Sequence, residues 1–292
     1  MLENLRLGPR YDGFLFLARS ELNPPRLRPH HHVELELNLV VQGSITYVVG
    51  GTRFTFGKRT LLWMFPAQEH QLVDRSADAG YYVAVFKPGL IAETCRSSEY
   101  AALKRKKVDG VLHTGLDPES FDLVRRTMDA LVCDGLDPVV LNREAGFGLS
   151  PDFRFEHGDP DWLNAGLRHL LLLCWRFQRG RAGQIRAVRL HPAVERALRE
   201  LGNATGEDDL AGLAKRCGTS PTYLSRLFAR QVGVPLSRYR NSVRLGRFWE
   251  ECRTASNLTE AAYAAGFGSY AQFYKIYRDA YGTGPRAGMG QV

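Results

Sequence analysis

Long apolar runs are missing from this chain. No stretch approaches the roughly 18 consecutive apolar residues of a membrane-spanning helix, which excludes a helical membrane protein. Cysteine is scarce, odd in number and scattered: Cys95, Cys133, Cys174, Cys217 and Cys252 never fall in C-x-x-C spacing. That argues against a disulfide framework or a zinc knot and fits a reducing cytoplasm. The opening MLENLRLGPRYDGFLFL lacks the basic-then-apolar pattern of a secretion signal, so the chain is expected to be soluble and cytoplasmic, with no membrane partner. What is present is an apolar content of 44% in 292 residues, enough to bury a core in each of two domains. The net charge of +8 and pI near 9.4 favour a polyanionic partner such as nucleic acid without deciding for one.

The period of the sequence changes along the chain. Between about residues 11 and 87, short β-branched and aromatic runs (LELNLVVQG, SITYVVGG, TRFTFG, TLLWMFP, GYYVAVFK) alternate with glycine and proline, as in a small barrel or sandwich. SFDLVRRTMDALVC and DWLNAGLRHLLLLCWRFQRG then place apolar residues at helical steps. One stripe carries Leu123, Val124, Met128 and Leu131; the other carries Leu163, Leu167, Leu170, Leu171, Cys174 and Phe177. Basic KRKK at 104–107 reads as a solvated helix end. From Pro192 the chain is almost purely helical, and His191–Val292 holds 14 Lys/Arg against 9 Asp/Glu, or +5 of the +8.

This last region contains a unit made twice. LAGLAKRCG followed by TSPTYLSRLF, and LTEAAYAAG followed by FGSYAQFYKIY, each read as a short helix, a glycine turn and a second helix. Asp208 and Asp209 open the first unit, Asn257 with Glu260 form a capping box for the second, and Ser220 and Ser269 cap the helices that follow. Gly218 and Gly266 take the turns. The second turn is one residue longer, because Ala262 follows Ala214 at 48 whereas Phe273 follows Leu224 at 49. Inward positions are apolar; the outward faces carry Thr222, Tyr223, Ser225, Arg226, Ala229 and Arg230 in one unit and Tyr270, Ala271, Gln272, Tyr274, Lys275 and Arg278 in the other. PLSRYRNSVRLGRFWEECR between them reads as one long helix, basic at Arg238, Arg240, Arg244 and Arg247. Two helix-turn-helix units on a stiff spacer suit a duplex whose major groove returns every ~34 Å, with phosphates neutralised by Arg and Lys and base edges read by polar tips.

Over residues 192–288 the sequence resembles the AraC/XylS-type bacterial transcription regulators, following their L-A-x-x-x-G-x-S-x-x-x-L-x-R-x-F and G-F-x-S-x-x-x-F-x-x-x-[FY]-[KR] patterns. The resemblance implies an effector-responsive activator without catalytic chemistry, acting as a homodimer on double-stranded DNA with RNA polymerase as partner. It places Thr222, Ser225 and Arg226 at one groove and Ala271, Tyr274 and Lys275 at the next. It also implies that the helices before the DNA-binding region pack on the barrel and form the dimer contact. Gly246 and the bulky Phe248-Trp249 depart from the family's spacer, and Ala271 offers no hydrogen-bonding group, so second-groove readout is expected to be mostly shape and phosphate contact.

The fold expected is an α+β multidomain chain: a cupin-like sensing barrel over 1–115, a helical dimerisation segment and linker over 116–185, and an all-α domain with two helix-turn-helix units over 186–292. If 30–41 is a strand, His30, His32, Glu34, Glu36 and Asn38 share one face and Leu35, Leu37, Leu39 and Val41 the other. With His70 from a neighbouring strand, these six polar residues are the candidate effector pocket, and Arg26 and Arg28 beside it hint at an anionic effector. The spacing of His30, His32 and Glu36 resembles the first cupin motif, and imidazole with carboxylate is a ligand set for a divalent transition metal, so His30, His32, Glu36 and His70 are the candidate metal ligands. The second cupin motif, P-x-G-x-x-H, is absent. Two alternatives stay open: a metal-dependent cupin enzyme fused to a DNA-binding domain, and a regulator whose barrel only dimerises.

Overall fold

The computed structural model describes residues 5, 7–19, 29–132, 155–178, 187–203, 209–252, 254–282 and 284–286. Arg26, Arg28, Cys133 and Asp208 lie outside them. The chain forms two compact units, one drawn mainly from residues up to 187 and the other mainly from Val188 onward. No described helix is long and apolar enough to cross a membrane.

The strand-rich unit contains β1 (Gly13–Arg19), β2 (Leu35–Gln42), β3 (Ser44–Val49), β4 (Thr52–Gly57), β5 (Thr60–Met64), β6 (His70–Arg75), β7 (Gly80–Phe86) and β8 (Leu112–Gly115). One sheet has the order β1-β7-β2-β5-β8, and a second carries β6-β3-β4 in that order. The pairs β1–β7, β2–β5, β2–β7, β3–β4 and β5–β8 are antiparallel. Among the described residues the strands pair into two sheets. Helix α1 (Pro88–Thr94) and a 3-10 turn (Ser98–Lys104) follow β7, and Lys104 to Lys107 are exposed.

Both faces of β2 are buried, for different reasons. Leu35, Leu37 and Leu39 face outward but lie at 0% exposure beneath α2 (Pro118–Val132) and α3 (Pro160–Gln178). Leu37 stands beside Trp63 in the ladder, and the Trp63 ring meets Trp175 of α3 edge-on at 5.6 Å. Leu39 stands beside Tyr82, whose hydroxyl donates to Asp129 of α2. Leu163, Leu167, Leu170, Leu171 and Cys174 are all fully buried in this layer, each Leu worth on the order of 1.5–3 kcal/mol. They belong to the core of a single chain, so these side chains are not themselves free for a dimer contact. Leu123 departs from its expected stripe and is 46% exposed, because α2 turns Val124, Met128 and Leu131 inward.

The helical unit contains α4 (Pro192–Asn203), α5 (Leu210–Arg216), α6 (Pro221–Val232), α7 (Leu236–Glu251), α8 (Leu258–Ala264) and α9 (Tyr270–Tyr281). Its two halves end their first helices identically. Thr219 N–H donates to the Ala214 carbonyl and Gly218 N–H to Lys215; 48 residues on, Phe267 donates to Ala262 and Gly266 to Tyr263. Both pairs are Schellman closures, possible because Gly218 and Gly266 sit at φ +68° and +88°. Gly268 then supplies the extra residue, and the offset becomes 49.

Candidate functional site

The helix-turn-helix halves are set by local chemistry. Asp209 accepts from Gly212 N–H at 2.6 Å, Ser220 from Tyr223 at 3.3 Å, Asn257 from Glu260 at 2.9 Å and Ser269 from Gln272 at 3.1 Å. Glu260 closes its box one residue earlier than expected, accepting from Ser256 N–H at 2.9 Å. α7 then grips both recognition helices. Tyr239 near its start meets Phe228 of α6 at 5.2 Å, while Phe248 meets Phe273 and Tyr277 of α9 at 4.3 and 5.9 Å. The large Phe248 fits because Ala261, Ala262 and Ala265 leave it room, and the Trp249 indole N–H donates to Tyr281 Oη at 3.1 Å.

On α6 the candidates Thr222, Tyr223, Arg226 and Arg230 are exposed and Ser225 half-buried; on α9 Ala271, Gln272, Tyr274 and Lys275 are exposed and Tyr270 half-buried. The Gln272 side chain already serves its helix start, since its Oε1 accepts from Gly268 N–H at 3.1 Å. The basic spacer is less available than its sequence suggests. Arg247 is 8% exposed and donates to the Leu201 carbonyl at 2.8 Å, satisfying an end of α4. Arg244 lies 6.0 Å from the Phe267 ring centroid.

In the strand-rich unit, β2 begins at Leu35, not at residue 30. The reason is non-local: His30 exchanges two backbone hydrogen bonds with His70, at 3.1 and 2.9 Å, so this stretch follows β6 before turning into β2. His32 therefore reaches Glu36 across a bend instead of along a strand face, with His32 Nε2 3.1 Å from Glu36 Oε2. His70 Nε2 lies 3.7 Å from the same oxygen, and Asn38 Nδ2 donates to Glu36 Oε1 at 2.7 Å. His32, Glu36, Asn38 and His70 are all buried. Glu34, also buried, contributes its carbonyl, 3.0 Å from His32 Nδ1, while the Gln68 carbonyl is 2.9 Å from His70 Nδ1. Half-buried His30 stands outside the converging three and packs its ring against His70 at 4.4 Å. His31 is half-buried.

A carbonyl can only accept, so both Nδ1 atoms carry hydrogen and a neutral ring presents a bare Nε2 to Glu36. Two acceptors facing each other need a proton or a cation between them. Burial would raise the Glu36 carboxyl, yet the two imidazoles beside it outweigh that effect and hold the group well below the ordinary carboxylate range. One ligand atom each from His32, Glu36 and His70 lies within 4.8 Å of the others. His70 Nε2 is buried without a hydrogen bond. The donor set and its backbone-anchored imidazoles fit a divalent transition metal.

Two tyrosines outside the expected pocket belong here as well. Tyr47 of β3 meets the His70 ring at 6.2 Å, and burial followed by the Glu36 charge raises its hydroxyl well above the usual value. Tyr81 of β7 is raised first by burial, with Glu36 adding to it and Arg75 opposing. Their alternation matches that of Ile45 and Val83; Tyr47 reaches the site from the second sheet and Tyr81 from β7, beside β2 in the first.

Residues 16–135 match the model of the AraC-like ligand binding domain, and residues 213–288 that of a helix-turn-helix domain. No curated protein matches the chain. Among solved structures, fatty-acid-bound ToxT from Vibrio cholerae is similar at 10% identity, covering 95% of this chain and 94% of that one with a TM-score of 0.35. The C-terminal domain of AraT, a response regulator from Geobacillus stearothermophilus, is 23% identical over 36% of this chain and 89% of that one, with a TM-score of 0.33. The AraC-like transcriptional activator CuxR is 12% identical over 82% and 77%, with a TM-score of 0.32. The two family models, in this order along one chain, identify the protein as an AraC-type transcription regulator, with a ligand-binding domain ahead of a helix-turn-helix DNA-binding domain.

Proposed function

We propose that the chain is a cytoplasmic, homodimeric activator that answers a small-molecule effector by repositioning its DNA-binding domains and acts with RNA polymerase. The observation that carries the DNA part is the duplicated unit: two capped helices with exposed polar and basic faces, each held to one end of α7. Residues 1–115 serve as sensor, 116–185 as dimerisation segment and 186–292 as the DNA reader, without catalytic chemistry. Thr222, Tyr223, Ser225, Arg226 and Arg230 meet one groove and Tyr270, Ala271, Gln272, Tyr274 and Lys275 the next. With His30, His32, Glu34, Glu36, Asn38 and His70 lining the effector site, the buried carboxylate supplies its charge. Selection of bound fragments from genomic DNA by the full chain tests this. A shared motif with two recognisable parts one helical turn apart is expected; retention of unrelated fragments overturns it.

A second reading of the pocket is favoured by the bare His70 Nε2. Here His32, Glu36 and His70 hold a divalent transition metal, which supplies a Lewis-acidic anchor for an oxygen-bearing effector. Added Zn²⁺ or Ni²⁺ then raises the melting temperature of chelator-treated protein at one equivalent, and His70→Ala removes the shift. No shift with either ion sinks this reading and leaves the first intact.

A further inference from the structure

We propose that α9 selects A·T base pairs through thymine methyl groups, with Ala271 and Tyr274 as the contacting residues; this deepens the DNA-reading assignment above and rests on it. The repeat supplies an internal comparison at its offset of 49: Thr222 becomes Ala271, Ser225 becomes Tyr274, Arg226 becomes Lys275 and Arg230 becomes Asp279. The two hydroxyl positions of α6 are thus a methyl and an aromatic ring on α9, three residues apart and so on one helix face. Both are exposed, Tyr274 at 41%. The basic residues Lys275 and Arg278, also exposed, lie beside this apolar pair, the charge arrangement a phosphate-lined groove would accept.

One neighbouring polar group is already committed in part. The Gln272 side-chain oxygen is engaged at the helix start by Gly268 N–H, and its backbone N–H by Ser269 Oγ. Gly284 passes close to the Tyr274 ring: a Cβ built there would lie 3.1 Å from Tyr274 Oη and 3.3 Å from Cε2, so glycine lets the chain after α9 support the ring. Asp279 removes the phosphate attraction that Arg230 offers on α6. With Asp279 in that place, base-edge contact is expected to add to the phosphate contacts that Lys275 and Arg278 supply on this helix. In the major groove the thymine C5 methyl is the apolar feature that such a surface can recognise, and none of the other three standard bases presents one.

The test uses the full chain and the DNA site it selects. Each thymine is replaced in turn by uracil, which lacks only that methyl group. At one or two positions binding is expected to weaken about fourfold, as for one methyl returned to water, with an unchanged salt slope. Ala271→Gly or Tyr274→Ser should weaken binding to the thymine duplex and abolish the uracil penalty at those positions, whereas Arg226→Ala should keep it; matching melting temperatures check that the variants fold. Uracil tolerated at every position, a penalty that survives in both α9 variants, or a selected site without A·T pairs under α9 overturns the inference alone. A chain that selects no sequence overturns the DNA-reading assignment with it.

Discussion

Arg226 and Arg247 stand on successive long helices of the DNA-binding unit, and their surroundings give them different work. Arg226 is exposed one turn from Thr222 and free of steric cover, and a guanidinium there can grip guanine O6 and N7 together. Arg226→Ala is expected to cost about 1–3 kcal/mol on the selected site and to relax discrimination at one base pair; Arg230→Ala should weaken all sequences alike and lower the salt slope by about 1. Titrations on single-base variants at several salt concentrations separate the two. Arg247, buried against the Leu201 carbonyl, should behave otherwise. Arg247→Ala should lower unfolding free energy by about 1–3 kcal/mol, as expected when a charged hydrogen bond to a helix end is lost, and leave the salt slope unchanged. The run of arginines in the spacer was legible in the sequence, but which of them face solvent was not, because α4 is brought over α7 only by folding.

At the scale of elements, the caps and turns of both helix-turn-helix units were legible, since they depend on residues within one turn of each other. Gly218 and Gly266 at positive φ are required by that geometry. Gly218→Ala should cost on the order of 1 kcal/mol in denaturant unfolding, with Gly266→Ala alike. The start of β2 was not legible, because His30 pairs with His70, forty residues away, and no local alternation reports that. The role of α3 also depends on packing. Leu167→Asp and Leu171→Asp should unfold the strand-rich unit, with loss of its near-ultraviolet signal, in preference to giving folded monomers, because each side chain is completely covered within one chain. A folded, monomeric Leu167→Asp protein would contradict this packing.

For the whole molecule, two compact units imply that the DNA reader can act by itself. The fragment 186–292 is expected to bind the selected site at low salt, more weakly than the full chain by the effective concentration that a dimer adds; parallel sedimentation and titration measure both. The sequence by itself determined the helix-turn-helix pair, its caps, its unequal turns and its outward faces, since helical period and capping act over a few residues. It also determined that Glu36 and Asn38 share one face of β2 and Leu35, Leu37 and Leu39 the other. Only the tertiary structure decided that the leucine face lies under α2 and α3, that His32 and His70 meet at one oxygen of Glu36, and that Tyr47 and Tyr81 join them. Those contacts join helix to sheet, neighbouring strands, or, for His70 and Tyr47, strands of different sheets, and burial there is set by what packs across the interior rather than by any spacing along the chain.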